Sequence, residues 1–149
     1  MRIPLILSEE GILILSCTIH TPHKVGRINF IVDTGSPDTF VGGIDSRKLG
    51  LKVVYGDKPK TIYWGQTAFR LGQIRQVELW MRKVEGGVEK PATFRFARFY
   101  ATNDWVLSGR NPDRYDSPNI LGMSFVLEQG FRLVVDGKKK EAWLEKEED

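Results

Sequence analysis

The sequence has little of what many small-domain chemistries require. Of its 149 residues, one is cysteine and two are histidine. A single thiol excludes an internal disulfide and most cysteine-based metal sites, which need at least a second sulfur. Cys17 lies in the apolar run Ile12 to Ile19 and reads as a small buried hydrophobe. His20 and His23 flank Thr21-Pro22 with no acidic or sulfur partner at ligand spacing, so they read as two exposed turn histidines and no metal is implied. A dominant charge is also missing. The 22 basic residues are interspersed with 19 acidic ones, and a net charge of +3 gives no ground for a nucleic-acid or anionic-membrane partner. The apolar stretch Ile12-Leu13-Ile14-Leu15 follows Glu9-Glu10-Gly11, has no basic lead-in and no clean small-residue cleavage site, and is too short to span a bilayer. It reads as a strand in a cytoplasmic protein.

What is present suits one ordinary globular domain. Hydrophobic residues make up 41% and charged residues 28%, and the length allows one proper core. Fifteen glycines and seven prolines are scattered as turns between short elements, with no linker or repeat. Gly11 to His20 and Val25 to Val32 read as a strand pair joined by a turn, delivering Asp33 at the end of the second strand. A short helix is expected from Ile44 to Leu49, ended by Gly50, and another from Met123 to Gln129, stopped by Gly130. Thr61 to Thr67 reads as a strand entering a tight turn. Ile74, Val77, Leu79 and Met81 alternate imperfectly, with a bulge expected near Gln76. After a Gly86-Gly87 turn, Phe94, Phe96 and Phe99 mark another strand. Asn111 to Pro118 reads as a polar loop, and Phe131 to Leu144 as a last hairpin on an Asp136-Gly137 turn. The class is all-β.

Phe30-Ile31-Val32-Asp33-Thr34-Gly35-Ser36, followed by Phe40-Val41, resembles the active-site signature of the aspartic proteases. The likeness extends from about Gly11 to Leu144. One Asp-Thr-Gly in a chain of this length points to the retropepsin-like type, in which two identical chains each supply one aspartate. The resemblance implies a closed, flattened β-barrel of the acid-protease type with one or two short helices. It also implies a second apolar-apolar-glycine element bordering the substrate cleft, which Ile120-Leu121-Gly122 fits, followed by a short helix. A β-hairpin flap is implied over the cleft, and Tyr63-Trp64-Gly65-Gln66-Thr67 is its expected place. There Gly65 is the flexible tip and Tyr63 or Trp64 packs over substrate, although ordinary hairpin packing accounts for the two aromatics equally well.

The chemistry explains why two chains would be needed. Peptide hydrolysis without a metal or covalent intermediate requires one group to activate water and another to protonate the carbonyl oxygen. Two carboxylates in contact do both, because like charges so close share one proton. Asp33 from each copy fills these roles, as a coupled pair on a twofold axis. Gly35 allows a tight turn that aims its amide at the carboxylate. Thr34, by resemblance, bonds across the dimer axis. Ser36 is expected to donate its hydroxyl to the carboxylate, favouring activity at acidic over neutral pH. The partners expected are a second copy and an extended polypeptide substrate, with no cofactor. Two other readings remain open: a dimerising or peptide-binding module that no longer cleaves, and a nucleic-acid binder using Phe94-Arg95-Phe96-Ala97-Arg98-Phe99-Tyr100. That segment also fits a plain strand with aromatics inward and arginines in water. The termini, Ile3 to Leu7 and Ala142 to Leu144, fit a dimer seam and the closure of one chain's own sheet equally well.

Overall fold

The computed structural model describes residues 1–64, 67–104, 106–108, 111–115 and 117–147. The chain begins with β1 (Arg2–Leu7), β2 (Leu13–His20), β3 (Val25–Val32) and β4 (Phe40–Val41), then the one-and-a-half-turn helix α1 (Gly43–Lys48). β5 (Lys60–Trp64), β6 (Thr67–Glu85) and β7 (Val88–Ala101) follow, then β8 (Val106–Ser108), β9 (Asn111–Tyr115) and β10 (Asn119–Leu121). Helix α2 (Met123–Glu128) and the strands β11 (Arg132–Asp136) and β12 (Glu141–Glu145) complete it.

The fold is all-β, as expected. Ten strands form one sheet in the order β11-β12-β1-β2-β3-β10-β4-β7-β6-β5. Additional pairing of β6 with β1 and β2 closes seven of them, β1-β2-β3-β10-β4-β7-β6, into a barrel. Beside this closure Arg2 to Leu5 pair with Ala142 to Glu145 of the same chain. The apolar run of β2 alternates once it is folded: Leu15, Cys17 and Ile19 are buried while Ser16 and Thr18 are half-buried. Burial pushes the Cys17 thiol pKa up to about 12, so it is an inert core residue. Two apolar clusters form: a main one inside the barrel, and a small one of Phe40, Phe69, Leu71 and Ile120.

Several local expectations are corrected. No residue is inserted near Gln76, because the β6–β7 register keeps one offset from Gly72↔Ala101 to Glu85↔Val88 and skips only the Gln76–Ala97 pair. Instead Gln76 takes φ 55, and the inward face switches from Val77, Leu79 and Met81 to Ile74. The last hairpin turns through four residues rather than on Asp136-Gly137 alone. Asp136 accepts the amides of Lys138 and Lys139 at 3.0 Å each, and Lys140 takes φ 56. Residues 111–115 are not loop but pair with β8 as a separate ribbon, whose register shifts between Leu107 and Ser108 and leaves Pro112 out of the ladder. Asp116 lies outside the described residues. His20 is no turn residue; it ends β2, half-buried and stacked on Trp80 with ring centroids 3.9 Å apart. Phe94 and Phe99 face the core while Arg95 and Arg98 are exposed, the plain-strand arrangement.

Candidate active site

Asp33 emerges at the end of β3, where the strand leaves the barrel and its side chain meets solvent. Its amide donates to the Leu121 carbonyl at 3.0 Å, extending the parallel pairing of β3 with β10. Its carboxylate accepts the Gly35 amide at 2.9 Å. A Cβ on residue 35 would sit 3.2 Å from that same oxygen, so glycine lets the amide approach without crowding the acid. Ser36 departs from expectation. Its hydroxyl donates to the Asp38 carbonyl at 3.1 Å and accepts the Asp38 amide at 3.3 Å, which closes a local turn instead of supporting the carboxylate. Thr34 is exposed, and its hydroxyl has no hydrogen-bond partner among the described residues.

The loop is held by two short arms that cross beside it. Thr39-Phe40-Val41-Gly42 leads into α1, and Asn119-Ile120-Leu121-Gly122 leads into α2. Each arm caps the other. Thr39 Oγ1 accepts the Gly122 amide at 2.9 Å, and Asn119 Oδ1 accepts the Gly42 amide at 2.7 Å. The α2 amides of Met123 and Ser124 then donate to the carbonyls of Ser36 and Pro37 at 2.8 and 3.0 Å. Both glycines are required by space. A Cβ on Gly122 would lie 2.2 Å from the Asp38 carbonyl oxygen, and one on Gly42 would lie 2.1 Å from that of Ser117. Ile120 and Leu121, expected as cleft residues, are buried instead: Ile120 in the small cluster and Leu121 in the main core. They carry the aspartate from below, because their backbone is committed to β3 and β4 on both sides.

The hairpin β5–β6 stands where the flap is expected, with Trp64 paired to Thr67. Tyr63 is 79% exposed. Gly65 and Gln66 lie outside the described residues, and the Trp64 side chain does too. The root of the hairpin is tied to the aspartate loop by residues the sequence did not mark. Phe69 and Leu71 pack on Phe40 and Ile120, and the Lys60 ammonium pairs with the buried Asp38 carboxylate. That hydrogen bond holds the Lys60 pKa above its ordinary value. Thr39, Asn119 and Lys60 could not be picked out singly. The repeated pattern of polar, apolar, apolar, glycine in the two arms was the available signal.

No protein-family model matches the chain, and no curated protein matches it. Among solved structures it is similar to the crystal structure of a retropepsin-like aspartic protease from Rickettsia conorii. The TM-score is 0.53, with 97% of this chain and 90% of that chain covered, at 20% identity. The fold is retropepsin-like. Within this fold Asp33, Thr34 and Gly35 occupy one exposed loop, and Gly122 locks it from behind. Among the described residues no group of His, Cys, Asp and Glu could hold a metal ion, and no helix is long and apolar enough to cross a membrane.

Proposed function

We propose that this chain is an aspartic endopeptidase that works as a homodimer, with the Asp33 carboxylates of two copies activating one water between them. The observation that carries the reading is an exposed carboxylate on a loop immobilised from two sides, bonded to one amide and approached by no cation among the described residues. One such carboxylate cannot be base and acid at once, whereas two facing each other share a proton and divide the roles. The unpartnered Thr34 hydroxyl beside it suits a bond to a second copy. The retropepsin-like fold of the Rickettsia conorii protease adds support. Substrate would lie as an extended strand between the β5–β6 hairpin and the Asp33 loop, held by main-chain hydrogen bonds.

The test compares wild type with Asp33→Asn on unfolded protein substrates, from acidic to neutral pH, with the oligomeric state recorded alongside. Cleavage by wild type alone is expected. Equal behaviour of the two proteins as intact dimers would refute the catalytic reading and leave a peptide-binding module. Since Ser36 turns to Asp38, Ser36→Ala is expected to leave the pH profile of cleavage in place.

A further inference from the structure

A cationic cavity is lined by residues other than those of the Asp33 loop. A cavity of about 660 Å³ opens between the turn at 21–24, the loop at 50–59 and the middle of β6. That volume is within the range of about 300–1,000 Å³ common for small-molecule sites. Its floor is apolar, from Leu51, Leu71 and Ile74, with the Tyr55 and Tyr100 rings among its walls. Its rim carries Lys24, Lys52, Lys58 and Arg75 against one acid, Asp57. None of these five side chains is in an ion pair among the described residues. Lys60 also borders the cavity but is committed to Asp38. Four cations facing one carboxylate give this one cavity a surplus equal to the net +3 of the whole chain.

The walls are built, not loosely draped. Val54 and Gln73 exchange two backbone hydrogen bonds of 2.9 and 2.8 Å, joining the loop to β6. The join depends on Gly72, where a Cβ would lie 2.6 Å from the Val53 side chain and 2.7 Å from the Val54 carbonyl oxygen. The Tyr55 hydroxyl accepts the Asn103 amide at 2.7 Å, and its ring lies under the Arg70 guanidinium at 4.1 Å. A preformed apolar pocket keeps the ordering cost of a ligand low, and unpaired cations at its mouth favour a negative head group.

We propose that this cavity binds an amphipathic anion: an apolar or aromatic body seated on Leu51, Leu71 and Ile74, with a carboxylate or phosphate head among Lys24, Lys52, Lys58 and Arg75. The site is separate from Asp33 and does not depend on peptide cleavage. The test titrates the full-length chain with 1-naphthyl phosphate, 1-naphthoate and the neutral 1-naphthalenemethanol, following backbone amide NMR shifts. Both anions are expected to move the amides of Tyr55, Gly56, Gln73 and Ile74, and to weaken as salt rises. The stronger of the two identifies the preferred head group. Lys52→Glu with Lys58→Glu is expected to lower anion affinity about tenfold, the scale of one lost charge-assisted hydrogen bond. Asp33→Asn is expected to bind both as wild type does. Equal affinity for the neutral probe, shifts that map elsewhere, or full binding by the charge-reversed chain would overturn the proposal. Should the double variant not fold, Arg75→Gln in the same titration decides by the same criterion.

Discussion

The two arms behind Asp33 are built alike and do different work. In each, the second residue, Phe40 or Ile120, enters the small cluster beneath the β5–β6 hairpin, and the third, Val41 or Leu121, is fully buried in the main core. Each ends on a glycine with an extended backbone that opens a six-residue helix. They differ in what their polar first residue holds. Thr39 reaches Gly122 and the Ser124 hydroxyl, whereas Asn119 joins the Gly42 amide, the Asn29 carbonyl and the Asp45 carboxylate. They differ also in what their helix meets. The α2 amides grip the Ser36 and Pro37 carbonyls of the aspartate loop, while Gly43 at the start of α1 meets the Ser117 hydroxyl. One repeated design therefore supports the Asp33 loop on one side and only a connecting segment on the other.

Substitutions should separate the shared part from the different part. The largest effect is expected from Gly122→Ala and Gly42→Ala. Each forces a Cβ to within 2.2 Å of a backbone oxygen, and each should lose about 3 kcal/mol or fail to fold, as overpacking at an unyielding site does. Gly137→Ala, with open space around it, should stay within about 0.5 kcal/mol in the same urea titration. A mild Gly122→Ala would show that the loop behind Asp33 is slack. Next, Asn119→Leu strands a buried amide and further polar groups and should cost about 3 kcal/mol, while Thr39→Val strands chiefly the Gly122 amide and should cost about 1–2 kcal/mol. Equal losses would mean that Asn119 gains nothing from its extra partners.

A smaller effect should appear with pH near the first arm, where Val41 accepts the Thr102 amide and Asp104 follows. Burial, the largest influence on Asp104, raises its pKa, but its hydrogen bonds and charge pairing with Arg70 together bring it below the ordinary value. A lowered carboxyl contributes its stability above the unfolded pKa of about 3.9, and that share is lost as pH falls through the folded value. Thermal melts below about pH 4 should therefore show wild type losing stability faster than Asp104→Asn. Parallel losses would remove Asp104 as the source. Ser36→Ala is the smallest, about 1 kcal/mol for one partly buried hydroxyl.

Much of this fold could be read from local pattern. β3 matches its expected limits because a charged turn and Asp33 bound an apolar alternation, and both helices lie within a residue of expectation because glycines close them. Asp33, Gly35 and Gly122 were legible through the resemblance of their two motifs to those of the aspartic proteases. The Thr39 and Asn119 caps were not, since their partners lie more than 70 positions away and any polar residue looks the same from the sequence. The phase change at Gln76 was seen as an irregularity, but its nature was hidden, because an inserted residue and a left-handed one disturb the alternation alike. Ser36 failed for a related reason: a serine hydroxyl next to both an acid and a turn carbonyl has two choices, and geometry settles which it takes.

The pairing of β1 with β12 has a consequence for how the molecule comes into being. Arg2 lies beside Glu145 and Ile3 beside Leu144, so β1 must wait for β12 before this pairing beside the ring can form. Contacts this remote in sequence bear a loop-closure cost that slows assembly. During synthesis the nascent chain would carry its Asp33 loop with the Leu121 carbonyl and the α2 amides still to come. The aspartate is thus set in place only once β10 and α2 have been made.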